Sequence, residues 1–423
     1  VTAQDAAGGG EQPAAPAASD ADLARVVREE SAQIICALTA ATGSLDVAEE
    51  AVAEAVEEAV RDWRRRGVPP RPGAWLMTSA RHNAIDRMRR DRVYRAKLAA
   101  TAPAPDPDQD PTSGDLLPTG EVDDRLGLLF GCCHPALSPE AQLALTLRAV
   151  LGVTTAQIAR ATVEPEATVG QRISRAKRKI SATGIRLAIP AAAERAARLD
   201  VVLAVIAVMY DAAHLIAGAD AHADRDLADD ARWLAGVVAR GLPDEAEAAG
   251  LHALLLFHRS REPARAAGGD LVTLGSQDRS LWDRDLAARA QRELRRAAAL
   301  RRPGRWQLHA AIAACHADAA SDDATDWTQI LVLYDMLLVF DRSPLVRLNR
   351  AVALGRVAGA EIALAEVDRL EQALRAYRLW HAVRASLLRS LGRHSEADRG
   401  DEEALARTSN EAERRLLLAR LGR

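Results

Sequence analysis

Apolar residues recur at helical spacing along nearly the whole chain. Leu23, Val26, Val27, Ile34, Ile35 and Leu38 mark a first amphipathic helix over 22–42, which Gly43-Ser44 closes. A second helix is expected from Asp46, as its opening or capping residue, to about Arg66, with Val47, Val52, Val56 and Val60 among its apolar positions. The run Gly67-Val68-Pro69-Pro70-Arg71-Pro72-Gly73 reads as a stiff turn. A third helix follows from about Ala74 to Leu98, with Met77, Ala80, Ile85 and Met88 as the expected inward stripe.

Pro103, Pro105, Pro107, Pro111 and Pro118, mixed with aspartates, break the helical pattern. Residues 99–121 are therefore an expected flexible linker that closes a first small domain at 22–98. A second small domain is expected over 122–186. Asp123 opens its first helix, and Ser138-Pro139-Glu140 starts a helix that ends at Gly152. Thr154 to Ala161 is a short helix, and Glu164-Pro165-Glu166 begins another that runs to about Ile180. Two such helices a few residues apart fit a helix-turn-helix. Residues 190–423 form a larger helical region. In it Leu354-Gly355-Arg356 returns 37 residues later as Leu391-Gly392-Arg393. Both copies read as glycine turns between paired helices, an echo of the tetratricopeptide type. The expected fold is thus all-α: two small helical domains, a linker, and a helical-repeat extension.

Composition supports helix and adds little else. Alanine, leucine and arginine dominate this chain of 423 residues, which exceeds one ordinary core. Residues 1–21 are rich in Ala, Gly and Pro, with neither a basic start nor an apolar stretch; they read as a disordered tail, not a signal peptide. No apolar run reaches the length of a membrane span, and four cysteines make no disulfide framework. The expected compartment is the cytoplasm.

Charge changes the picture more. The net charge of −3 conceals opposite blocks. Asp46, Glu49, Glu50, Glu54, Glu57 and Glu58 make the second helix acidic, whereas residues 61–97 hold eleven arginines and Lys97 against Asp62, Asp86 and Asp91. Such segregation implies partners of opposite sign for different surfaces.

Two segments carry candidate chemistry. On the second helix of the helix-turn-helix, Glu166, Thr168 and Gln171 are placed for base edges, and Arg172, Arg175, Lys177 and Arg178 for phosphates. Thr154 and Thr155, at the preceding helix N-terminus, suit a phosphate contact. On helix 74–98, Trp75, Arg81, His82, Asn83, Arg87, Arg89 and Arg90 combine an aromatic plane, polar edges and cations, as unstacked single-stranded bases require. For Trp75 itself a core position is the commoner use.

These segments resemble the sigma factors of the extracytoplasmic-function group of RNA polymerase. The phrases Asp46-Val47-Ala48-Glu49-Glu50-Ala51-Val52, Trp75-Leu76, Ala84-Ile85-Asp86-Arg87 and Ile173-Ser174-Arg175-Ala176-Lys177 carry the likeness. Leu129-Phe130-Gly131-Cys132-Cys133-His134-Pro135, Gln277-Asp278-Arg279-Ser280-Leu281-Trp282-Asp283 and Leu348-Asn349-Arg350-Ala351 resemble members with a long C-terminal helical extension. The resemblance implies that 22–98 binds core polymerase through Asp46, Glu49, Glu50 and Glu54 and melts the minus-ten element through the set from Trp75 to Arg90. It implies that 122–186 reads the minus-thirty-five element as duplex, and that the extension contacts the two sigma domains and regulates them in cis. The chain departs from the usual pattern at His82, where asparagine is common, and at Ala53 and Val56, where a glutamine and a phenylalanine are usual.

No phosphate loop, nucleophile elbow or paired catalytic motif is present, so no enzymatic activity, cofactor or metal is expected. Cys132, Cys133 and His134 lack the second ligand pair that zinc sites use and read as a buried helix end. His214, Asp220, His222, Asp224 and Asp226 read as a solvated loop. Trp233, Trp282, Trp306, Trp327 and Trp380 read as core anchors. The competing readings are a plain helix-turn-helix regulator with a repeat-type sensor, and a repeat scaffold or metal-dependent enzyme centred on 190–423.

Overall fold

In a computed structural model of the chain, Ser44 starts the second helix. Its backbone is extended and its hydroxyl accepts the Val47 N–H at 3.3 Å, so Ser44 and not Asp46 is the cap of α2 (Leu45–Arg66). The described residues are 20–99, 124–162, 164–216, 227–267 and 270–423. The expected tail up to residue 19, the linker from residue 100 and the His/Asp loop over 217–226 lie outside them, as does the His214 side chain. The described chain is almost wholly α-helical, and none of its helices is long and apolar enough to cross a membrane. It forms two units, residues 1–202 and 203–423.

In the first unit α2 packs on α1 (Asp20–Thr42) and α3 (Pro72–Ala99). Its buried face is Ala48, Ala51, Val52, Ala55, Ala59 and Trp63; alanine at four of those positions lets the helices approach closely. The inward stripe of α3 is Leu76, Ala80 and Ala84, one residue round from the expected Met77, Ile85 and Met88, which are only half buried. Small alanines, not the longer methionines, face α2 because the gap there is narrow. Next come α4 (Asp124–Cys132), α5 (Pro139–Leu145) with a π-helical turn at Thr146–Val150, α6 (Thr155–Thr162) and α7 (Glu166–Thr183). Leu126, Leu128, Leu129 and Phe130 of α4 are fully enclosed, and α1 packs directly against α4 and the π turn. Helix α8 (Ala192–Ile216) follows an extended segment over 185–190.

In the second unit α9 (Leu227–Gly241) packs on α10 (Ala246–Ser260), whose residues are buried without a break from Ala246 to Phe257 except at Glu247. A two-residue hairpin pairs β1 (Ala266–Ala267) with β2 (Asp270–Leu271). Helices α11 (Arg284–Ala299) and α12 (Arg305–Asp318) cover α10. Then α13 (Trp327–Leu337), α14 (Pro344–Ala358), α15 (Ala360–Asp368), the short α16 (Glu371–Leu374), α17 (Arg378–Ser390), α18 (His394–Leu405) and α19 (Glu411–Arg420) stack in sequence. The tripeptide echo is not a structural one. Gly392 turns the chain between α17 and α18 with φ 74°, but Gly355 lies inside α14; the corresponding turn is Gly359, with φ 97°. A turn of that hand admits glycine without strain, whereas Gly355 serves close packing against Ala363 and Leu387. Of the five tryptophans, Trp282 and Trp380 are buried; Trp233, Trp306 and Trp327 are half buried.

Candidate nucleic-acid interface

Helix α7 buries Val169, Ile173, Ala176 and Ile180, one stripe at spacings of three and four. The stripe packs on α5 and α6, where Ile158 and Ala159 are enclosed. The opposite face of α7 is turned outward by that choice. Glu166, Thr168, Gln171, Arg175 and Arg178 are exposed. Helix α6 begins with a reciprocal cap: the Thr154 N–H donates to Gln157 Oε1 at 3.0 Å, and the Gln157 N–H donates to Thr154 Oγ1 at 3.2 Å. Thr154 is exposed and Thr155 half buried, so the Thr154 hydroxyl is already committed to the helix end. Gln171, Arg172, Arg175 and Lys179 line a groove of about 330 Å³ against Ser138 and Ala141.

The cations of α7 do not share one fate. Arg172 grips Glu164 with two hydrogen bonds of 2.6 Å, and that bond holds the Glu164 carboxyl below its ordinary value. Lys179 donates to the Ala136 carbonyl. Lys177 points away from the exposed face and bonds Asp46 Oδ1 at 2.9 Å and Glu49 Oε2 at 2.6 Å. Burial pushes the Lys177 ammonium down, but Glu49 and Asp46 more than reverse this and hold it above its ordinary value. Arg175 and Arg178 are thus the cations that α7 leaves toward solvent near its polar N-terminal half.

The basic helix α3 is similarly divided. Trp75 is half buried, its ring edge-on to the enclosed Trp63 at 5.4 Å, so it is partly core and partly surface. Beside it a depression of about 820 Å³ is lined by Pro69, Pro70, Arg71, Thr78, His82 and Asn83, among others. His82, Arg89 and Arg90 are exposed; Arg81 is half buried. Asn83 donates to the Ala51 carbonyl at 3.5 Å, a long bond. Arg87 bridges Glu50 and Glu54 on α2 and therefore serves the α2–α3 contact. All four carboxylates expected to meet polymerase are consequently engaged by cations of this chain. Sequence reasoning also passed over Pro69, Pro70 and Arg71 as walls of the Trp75 depression. The rigid Pro69-Pro70 pair a few residues ahead of Trp75 was the available signal.

Cys132 and Cys133 close the buried end of α4; burial raises both thiols, Cys133 to about 12, and its sulfur lies 3.5 Å from Thr146 Oγ1. Thiols so protonated are poor nucleophiles. His134 Nδ1 accepts the Ala136 N–H at 3.1 Å and so caps the following turn.

The helices from α4 to α7 coincide with a known family. Residues 128–180 match the model of sigma-70, region 4, so the helix-turn-helix just described is similar to that domain. Residues 198–298 match a family of unknown function, DUF6596. Over 372 residues the chain is 40% identical to an uncharacterized protein of Rhizobium meliloti (strain 1021), covering 88% of each, and it belongs to the same family as that protein. No solved structure matches the chain.

Proposed function

We propose that this protein is an RNA polymerase sigma factor of the extracytoplasmic-function type, with its second unit as a regulatory extension. The observation that carries the reading is the region 4 match on a helix-turn-helix whose outward face offers Gln171, Arg175 and Arg178. In this reading α7 enters the major groove of the minus-thirty-five element, with Glu166, Thr168 and Gln171 at base edges and the arginines on phosphates. The Trp75 depression and the exposed cations of α3 take the displaced strand of the minus-ten element, and the acidic face of α2 docks on core polymerase. Contact energy alone opens the duplex, so the chain itself turns over no nucleotide. The stacked helices of 203–423 act as a tetratricopeptide-like module that regulates the sigma domains in cis.

Run-off transcription with purified core polymerase over a promoter library tests this. Selective initiation that depends on the added protein is the expected result. Failure both to associate with core polymerase and to select promoters removes the reading. Deleting residues 203–423 is expected to change promoter output in cells; unchanged output removes the regulatory role alone.

A further inference from the structure

We infer that Lys177 is a latch: it holds the region 4 domain closed against the acidic face of α2, so that the side chains needed for DNA and for polymerase cancel one another until the domains part. The functional half of this inference rests on the sigma reading; the mechanical half does not.

Three contacts, distant in sequence, build the closed state. Lys177 spans from α7 to α2 and bonds both Asp46 and Glu49. Lys177 is 13% exposed and Glu49 11%, so this pair is largely desolvated, unlike the usual surface ion pair. The second contact is the extended segment after α7. Leu187 lies over α4 at Gly127 and Gly131, where any side chain on Gly131 would collide with it, and the Leu187 carbonyl accepts from Cys36 Sγ of α1 at 3.8 Å. The third is the direct packing of α1 on α4, with Ile34, Ile35 and Leu38 enclosed.

The closure is built to be reversible. Glu49 Oε1 is buried without a hydrogen-bond partner, so the carboxylate is only half satisfied by the lysine. A cleft of about 450 Å³ remains beside the latch, between Ser44, Asp46, Lys177, Ile180 and Leu187. Apolar walls facing a gap forgo the contacts that would make the seam permanent. Lysine suits the role: an ammonium is a compact charge that exchanges one anionic partner for another without the fixed geometry of a guanidinium.

Two consequences follow from one side chain having two employers. While Lys177 is on Glu49 it is unavailable to a phosphate, and Asp46 and Glu49 are unavailable to a basic partner. Duplex DNA and a cationic partner of α2 therefore each favour the open state, and by linkage each raises the affinity for the other.

The test is intramolecular energy transfer in the full-length chain, with dyes on Arg61→Cys and Ala182→Cys and with Cys315→Ser to remove the half-buried thiol. The unlatched variant is Lys177→Glu; the control is the swapped pair Lys177→Glu with Glu49→Lys. Transfer is expected to fall in Lys177→Glu, to the level the parent reaches at high salt, and to recover in the swapped pair. Binding of core polymerase by Lys177→Glu should tighten about ten-fold if roughly a tenth of the parent is open. Unchanged transfer in Lys177→Glu overturns the latch, as does a swapped pair that stays open while retaining parental helix content and melting temperature. A fall and recovery of transfer, with no polymerase binding by any form, leaves the latch standing and overturns the sigma reading instead.

Discussion

Arginine is put to opposite uses in the second unit and on the outward faces of α7 and α3. In residues 203–423 it cross-links. Arg378 binds Glu413 with bonds of 2.7 and 2.6 Å, Arg350 binds Asp335 at 2.6 Å and Arg384 binds Asp368 at 2.7 Å, each joining separate helices. The buried Arg279 donates to the carbonyls of His316 and Ala319 and to Thr325 Oγ1, with its guanidinium over Trp282. On α7 and α3 the guanidinium groups of Arg175, Arg178, Arg89 and Arg90 face solvent instead. An arginine-rich composition is therefore no evidence of nucleic-acid binding. What separates the two uses is whether acids stand within reach. After Glu166, α7 carries no carboxylate up to Thr183, whereas α18 alone holds five.

The comparison is most exposed at Arg389. It reaches Asp401, whose side chain is fully enclosed, at 2.8 Å, and Asp398 at 3.2 Å. Removing the guanidinium leaves a buried carboxylate whose remaining cation among the described residues is Arg420, at 3.9 Å. Arg389→Ala is expected to cost about 3 kcal/mol in urea unfolding of the second unit. A cost no greater than that of a surface substitution would mean that cross-linking is not what these arginines do.

His316 gives the next largest effect. Burial, then Arg261 and Arg279, depress its pKa from 6.5 to about 4. Between those values the unfolded chain takes up a proton that the folded ring refuses. Stability is therefore full above pH 6.5 and is lost as pH falls toward 4, by about 2 to 3 kcal/mol. Urea titrations at pH 7 and pH 4.5, with His316→Gln as the reference, measure this. Equal pH dependence in parent and variant would mean that the ring is less buried, and less crowded by the arginines, than the structure has it.

On the other side of the comparison, Arg175→Ala with Arg178→Ala should leave the melting temperature essentially unchanged, because both are exposed. Duplex binding should weaken about ten-fold, and the slope of log affinity against log salt should become shallower by about two. A gel-shift series with polymerase reconstituted on promoter DNA reads both. Loss of stability without loss of binding would put these residues with the cross-linking class.

How far the sequence reveals this division depends on the range of the contact. The buried stripe of α7 is legible because Val169, Ile173, Ala176 and Ile180 repeat locally, and the all-α fold follows from the same periodicity. The exposed cations opposite the stripe follow from it by subtraction. Lys177 is not legible: its partners Asp46 and Glu49 lie more than a hundred residues away, and no period links them. Arg87 is the same case, since its register against Glu50 and Glu54 depends on how α3 lies on α2. The shifted stripe of α3 shows a subtler limit. Ile85 and Ala84 both fit a helical repeat, and only the narrowness of the gap selects the alanine. The repeated Leu-Gly-Arg failed because glycine serves two physical purposes, a positive φ at Gly392 and close packing at Gly355, and composition does not tell them apart.

The smallest expected effect sharpens the comparison most. Arg407, in the turn just beyond α18, pairs with Glu403 in the last turn of that helix and also donates to its carbonyl at 2.8 Å. Both side chains are about a third or more exposed, so water competes for each charge and the pair gains little. A double-mutant cycle with Arg407→Ala and Glu403→Ala should return a coupling of about 0.3 kcal/mol, the scale of an exposed pair. Set against Arg389, the same pairing chemistry then has a far smaller effect where both charges stay in reach of water. A coupling above about 1 kcal/mol at Arg407 would show instead that pairing itself, wherever it occurs, separates the structural arginines from those left free on α7.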